Sequence, residues 1–207
     1  MRRWALVLLG LGLSLGLACG DGTRDSPDAT FRIDGGQAGP DAGSTINTTI
    51  QVQRVLDGDT VELSAGASVK TPDGRSMSGA HVRLLAIDAP EIAHPEANPP
   101  TTADCWGNEA QAAARTLMGG RVITLQFDLR AIAGCSPPIQ RTDAERCGLR
   151  DIYDRLLAYV VLPDGTVANQ TMVREGNAFS YRHEVALYNQ LEDEARAAMR
   201  GMWGVCP

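Results

Sequence analysis

Lysine is all but missing from this chain of 207 residues: Lys70 is its one ammonium side chain, and the rest of its 19 cationic residues are arginine. The formal net charge is −6. Together these exclude a broad basic surface of the kind that coats nucleic acid. Any commerce with polyanions has to run through a bound cation or a local cluster of guanidiniums, the group suited to bidentate phosphate contacts. Histidine is scarce, at three residues, and no two cysteines stand in C-x-x-C spacing, so a zinc site is not expected. No internal repeat is visible.

The apolar run near the start, Trp4 to Leu17, is shorter than the about 20 residues a membrane span requires. With Arg2 and Arg3 before it and Ala18-Cys19 after it, residues 1–19 read as a secretory signal. The ending "GLAC", residues 16–19, followed by Gly20, resembles the cleavage box of bacterial lipoproteins, although Gly16 stands where an aliphatic residue is usual. Cys19 is then the expected lipidation site and the anchor to a membrane; the other reading is an ordinary cleaved signal. Either way the protein is exported, as an envelope lipoprotein or a secreted one. Residues 20–47 are rich in Gly, Asp, Ala and Pro and poor in apolar residues. They cannot bury enough surface to offset their ordering entropy, and they read as a flexible tether. Residues 48–207 remain for one ordinary domain, expected to be monomeric.

The tether takes five Asp and two Arg with it and the leader two Arg, so that domain carries −5. It holds Cys105, Cys135, Cys147 and Cys206. An even count in an exported chain points to two disulfides. Three pairings are allowed; Cys135 and Cys147 flank one loop-like segment and can close it locally, which leaves Cys105 for Cys206.

Along the domain, residues 49–56 alternate apolar and polar as a half-buried strand does. "DGDT" at 57–60 is a turn in which Gly58 permits positive φ, and "TVELS" returns as a second strand. Residues 81–87, "HVRLLAI", predict a third strand, 121–127 a fourth and 155–162 a fifth. Residues 92–104 are a proline-bearing loop, and 128–154 look irregular. Helices are predicted over 108–118, 167–176 and 184–201, the last with Val185, Leu187, Leu191, Ala195, Ala198 and Met199 inward. The first three strands lack crossover helices, which argues against a wound parallel sheet. The fold class is therefore α+β, mainly β: a five-stranded OB barrel with about three helices.

Asp57 and Asp59 follow the first strand, and Asp88 and Glu91 end the third, with Pro90 fixing the backbone between them. If those strands are neighbours, the acids converge at one rim. Clustered carboxylates repel unless something cationic sits among them, and a hard divalent ion, Ca²⁺ or Mg²⁺, is the economical solution. The bland reading is a surface turn and solvated strand-end acids.

"VLDGDTVEL" (55–63), "VRLLAIDAPE" (82–91), "CWGNEA" (105–110), "RLLAYV" (155–160), "NQTMVREGNA" (169–178) and "GMW" (201–203) resemble, in order, the staphylococcal nuclease family. The resemblance implies an OB barrel that cleaves DNA and RNA phosphodiesters with one Ca²⁺ ion. It assigns Asp59 and Asp88 as direct metal ligands, the backbone carbonyl of Ala89 as a third, Asp57 as a supporting acid, Glu91 as the residue that orients or deprotonates the attacking water, and Arg83 and Arg155 as the groups that bind the phosphate. Arg155 can instead pair with Asp151 or Asp154, and Arg150 competes with it for the role. The segment from Phe127 to Arg155 is longer than the family usually has, and Asp154 stands where the family often has glycine. The rival function is a non-catalytic nucleic-acid-binding OB module on the envelope.

Overall fold

The computed structural model describes residues 45–66, 69–71, 74–128, 149–183 and 185–207. The signal with Cys19, most of the tether, and Cys135 and Cys147 lie outside the described residues.

Among the described residues, seven strands and three α-helices follow in order: β1 (Thr45–Val55), β2 (Thr60–Leu63), β3 (His81–Leu84), β4 (Ile87–Asp88), α1 (Gly107–Met118), β5 (Val122–Asp128), β6 (Leu156–Val161), α2 (Ala168–Arg174), β7 (Phe179–Ser180) and α3 (Ala186–Ala197). Five strands close a barrel in the order β1-β2-β3-β6-β5, and β4 pairs with β7 outside it. All barrel neighbours are antiparallel except β3 and β6, which run parallel. This is the expected five-stranded OB architecture.

β1 is long because it serves two partners. Thr45–Gln51 pairs with β5, and Val52–Val55 with β2, with a register shift between Val52 and Arg54. The irregularity puts Gln53 and Arg54 both outward and returns Val55 to the core beside Ile50 and Val52, which bends the strand around the barrel. Its first three residues come from the stretch read as tether. The core is filled by Val61, Leu63, Val82, Leu84, Ile123, Leu125, Phe127, Leu156 and Val160, all essentially inaccessible.

Two expectations are corrected. The stretch 81–87 is not one strand: it breaks at Leu85-Ala86, where Ala86 takes φ 66°. Ile87 and Asp88 then leave the barrel to pair with Ser180 and Phe179. The break is held by polar bonds, with the Asn169 side chain donating to the Leu85 carbonyl at 2.8 Å and accepting from the Val160 amide at 2.9 Å. The inward face of α3 is wider, and the helix shorter, than expected: Leu191 and Ala195 are buried and Val185 and Leu187 pack against the core as expected, but Tyr188 and Glu192 are buried beside them, and Ala198 and Met199 lie past the helix end and are exposed. A carboxylate goes inward because it has partners: Glu192 accepts from the Ser180 amide at 2.6 Å and from Arg196 at 2.6 Å. Arg196 in turn lies 3.8 Å from the centroid of the Trp203 ring. Cys105 and Cys206 are bonded, joining the start of α1 to the end of the chain.

Candidate active site

The turn between β1 and β2 is built by its own acids. Asp57 Oδ1 accepts the Asp59 amide at 2.9 Å, and the Thr60 carbonyl accepts the Leu56 amide at 2.9 Å. Gly58 is needed here for space; its φ is not in the left-handed region that the sequence reading supposed. A Cβ at that position would stand 2.5 Å from Ala89 Cβ and 3.1 Å from Ala110 Cβ. The turn therefore lies against both the Asp88–Glu91 segment and α1, which brings Asp59 to the end of β4.

Asp59 is only 4% exposed. One of its oxygens, Oδ2, accepts the Ala89 amide at 2.7 Å, and the other, Oδ1, accepts the Thr60 hydroxyl at 3.0 Å. The Arg83 guanidinium spans two acids: Nη1 stands 2.5 Å from Asp59 Oδ2 and Nη2 2.5 Å from Asp88 Oδ1. Asp59 and Asp88 thus meet across one cation, as the rim hypothesis required. Burial pushes the Asp59 carboxyl up to about 7, against the pull of Arg83, and the neighbouring Asp57 charge pushes the same way.

Glu91 sits at the solvent side of this group, its side chain 63% exposed. Its carboxyl is also raised, by partial desolvation first and then by the charges of Asp57 and Asp88, with Arg83 and His94 opposing. The sequence did not reveal what holds it. Asp104 grips the Glu91 backbone from both sides, accepting its amide at 3.1 Å through Oδ2 and donating its own amide to the Glu91 carbonyl at 2.9 Å. Gly107, the first residue of α1, approaches so closely that a Cβ there would lie 2.1 Å from the Glu91 carbonyl oxygen. A glycine opening a helix three residues after an aspartate was the one available signal.

Arg155 reaches the site from the start of β6. Asp151 orients it, accepting the Arg155 amide at 2.9 Å and the guanidinium Nε at 2.6 Å. The guanidinium Nη1 lies 3.3 Å from the hydroxyl of Thr60, the residue next to Asp59. Of the two pairings open in the sequence, Asp151 is the one made. Asp154 has φ 65°, the left-handed region that favours glycine, and its carboxylate turns to Arg75. Arg150 is buried and donates to the Asp154 carbonyl at 3.0 Å, so of the two arginines it is Arg155 that stands beside Thr60.

The donor chemistry fits a divalent cation. A guanidinium already stands between the Asp59 and Asp88 carboxylates, and the Ala89 backbone is bonded to one of them. Among the described residues no three His, Cys, Asp or Glu side chains gather at ligand distance. A cation here would draw on two carboxylates, a backbone carbonyl and water, the ligand habit of a hard ion.

An acid pair that can hold a cation, a third acid beside it and two arginines at one rim of an OB barrel define a phosphodiesterase-type site. A family model described as staphylococcal nuclease homologue matches residues 81–205. Two curated relatives, one from Escherichia coli O157:H7 and one from Escherichia coli, each named an uncharacterized endonuclease, are 30% identical over 159 residues, covering 74% of this chain and 75% of theirs. The chain belongs to the staphylococcal nuclease family: it is a nuclease, a hydrolase of phosphodiester bonds whose substrate is nucleic acid. Nucleases of this family are typically metal-dependent.

Proposed function

We propose that the protein is an exported, calcium-dependent nuclease acting on DNA and RNA, with one Ca²⁺ held by the Asp59 and Asp88 carboxylates and the Ala89 carbonyl. The observation that carries this reading is the Arg83 guanidinium touching Asp59 and Asp88 at once, because it puts acids 29 positions apart at one point. When bound, the ion would polarise the phosphodiester and offset its developing charge. Arg83 and Arg155 would bind the equatorial oxygens of the phosphate. Glu91, exposed and with its carboxyl raised by partial desolvation, orients or deprotonates the attacking water. Asp57 supports by fixing the turn that carries Asp59.

The domain order supports export: a leader over residues 1–19, a tether over 20–47 and the catalytic domain over 48–207. Cys19 carries a lipid that anchors the chain to a membrane, and the domain works as a monomer. Palmitate incorporation that is lost in Cys19→Ala tests the anchor.

Plasmid digestion tests the activity. Cutting is expected with Ca²⁺, and none with EDTA or in Glu91→Ala. Binding of nucleic acid with no Ca²⁺-dependent cutting would instead make the protein a non-catalytic OB module.

A further inference from the structure

Little holds the Glu91 side chain itself. It is 63% exposed, and among the described residues its carboxylate has one ion-pair contact, His94 Nε2 at 4.0 Å. His94 is also engaged elsewhere, with Nδ1 3.2 Å from Glu96 Oε1. Close packing does not fix the segment either. A cavity of about 270 Å³ opens beside Pro90 and Asp104, with Phe179, Met202 and Trp203 among its other walls. A side chain in such a setting is placed only as well as the backbone that carries it.

On its N-terminal side that backbone is tied to the acids. The Ala89 amide donates to Asp59 Oδ2 at 2.7 Å, and the ring of Pro90 restricts the residue between. On its C-terminal side the chain leaves in a loop, residues 92–103, crossed by the bridge between His94 and Thr101, and it returns at Asp104. There Asp104 meets both backbone groups of Glu91. Its Oδ2 accepts the Glu91 amide at 3.1 Å, and its own amide donates to the Glu91 carbonyl at 2.9 Å. Glu91 and Asp104 thus close the loop at its base.

Asp104 is anchored in its turn. Its carbonyl accepts the amide of Gly107, the first residue of α1, at 3.1 Å. Its neighbour Cys105 is bonded to Cys206. The Cys206 amide donates to the Met202 carbonyl at 2.8 Å, and the Met202 amide to the Gly176 carbonyl at 3.0 Å. Trp106 donates its indole N–H to Asn177 Oδ1 at 2.9 Å. The two residues that follow Asp104 are therefore both tied to positions 176 and 177, just past α2.

We propose that Asp104 is a positioning residue for the hydrolysis: its paired bonds to the Glu91 backbone set where the Glu91 carboxylate stands. The inference rests on the nuclease reading above and deepens it. A misplacement of about 1 Å in a reacting group can cost about 10²-fold in rate, and an exposed carboxylate has no other restraint of comparable stiffness. Asp104 serves as a hydrogen-bond acceptor in this role, so an amide oxygen at the same place does the same work.

The test follows cleavage of a single-stranded oligonucleotide with Ca²⁺ by variants of the full chain. Asp104→Ala is expected to lower kcat about tenfold or more with little change in KM. Asp104→Asn, which keeps an acceptor oxygen, is expected to retain most of kcat. In a Glu91→Gln background, Asp104→Ala is expected to cost at most about twofold further, because the group it places is gone. A loss through packing alone would carry over into that background in full. An unchanged kcat in Asp104→Ala overturns the proposal, as does an equal loss in the Glu91→Gln background or an Asp104→Asn protein that falls as far as the alanine variant. Should Asp104→Ala not fold, Asp104→Glu, which displaces the acceptor by one methylene, takes its place with the same outcomes. If the unsubstituted protein does not cut with Ca²⁺, the calcium-dependent reading fails, and hydrogen exchange at the Glu91 amide decides the clamp. Exchange about tenfold faster in the Asp104 variant upholds it, and unchanged exchange overturns it.

Discussion

Asp59 is costly to ionise in this fold, because burial outweighs the attraction of Arg83 and holds its carboxyl near 7 where an unfolded aspartate titrates near 3.8. The folded state therefore keeps a proton that the unfolded state has already lost. Between about pH 4 and pH 7 the ion-free protein is destabilised as pH rises, and above that range the whole penalty is present. Glu91 is shifted the same way, whereas the lowered carboxyls of Glu96 and Asp164 act at lower pH. In EDTA, the urea midpoint is expected to fall from pH 5 to pH 8, and Asp59→Asn is expected to flatten that fall. A midpoint that rises over the same interval would show that Asp59 is not buried as described. Glu91→Gln keeps the shape of the side chain and removes its basicity. Its kcat with Ca²⁺ is expected to drop about 10²-fold or more, with little change in KM, measured on a single-stranded oligonucleotide. At this scale the motifs pointed to Asp57, Asp59, Arg83, Asp88, Glu91 and Arg155, and the structure brings Asp59 and Asp88 together at Arg83. The sequence did not reveal Asp104 or Gly107. Both act on Glu91 through its backbone, and no side-chain pattern records a contact of that kind.

Among the elements, the break between β3 and β4 decides where Asp88 goes, and it was hidden. Five apolar residues of six predict a continuous strand, and nothing in an alanine at position 86 announces a positive φ. The partners that hold the break open, Asn169 and β7, lie some 80 to 90 positions away. Tyr188 and Glu192 were missed on the inward face of α3 for a related reason. Helical periodicity ranks residues by polarity, and a buried Glu192 becomes legible only with Ser180 and Arg196 in place. The link between Cys105 and Cys206, by contrast, was the pairing favoured from the sequence, and it ties α1 to the C-terminus across 101 positions. Closing so large a loop restricts the unfolded chain, and Cys206→Ser is expected to lower the unfolding free energy by about 2–4 kcal/mol. Chemical denaturation of the variant measures this. Because Cys105 neighbours Asp104, the same variant is also expected to raise KM or lower kcat modestly even at temperatures where it stays folded.

For the molecule as a whole, the charge count and the site pull in opposite directions. A chain at −6 repels a polyanion over any distance the salt does not screen. Attraction is left to a few guanidiniums, and several of these already serve internal acids: Arg83 serves Asp59 and Asp88, Arg155 serves Asp151, and Arg75 serves Asp154. Arg83 and Arg155 would meet a phosphate beside acids they already hold. Affinity should therefore be modest, and the contacts that form should be ionic. Arg83 and Arg155 share the scissile phosphate, so about one counterion leaves a single strand as it binds there, and log affinity should fall with log salt with a slope of about −0.7. Raising salt from about 50 to 200 mM at fixed Ca²⁺ should then weaken oligonucleotide binding about threefold, measured as KM or by anisotropy. A barrel that gripped its substrate mainly by stacking bases on Tyr153 or Tyr181 would keep most of its affinity over that interval. A flat salt profile would move the weight of recognition from the arginines to those rings.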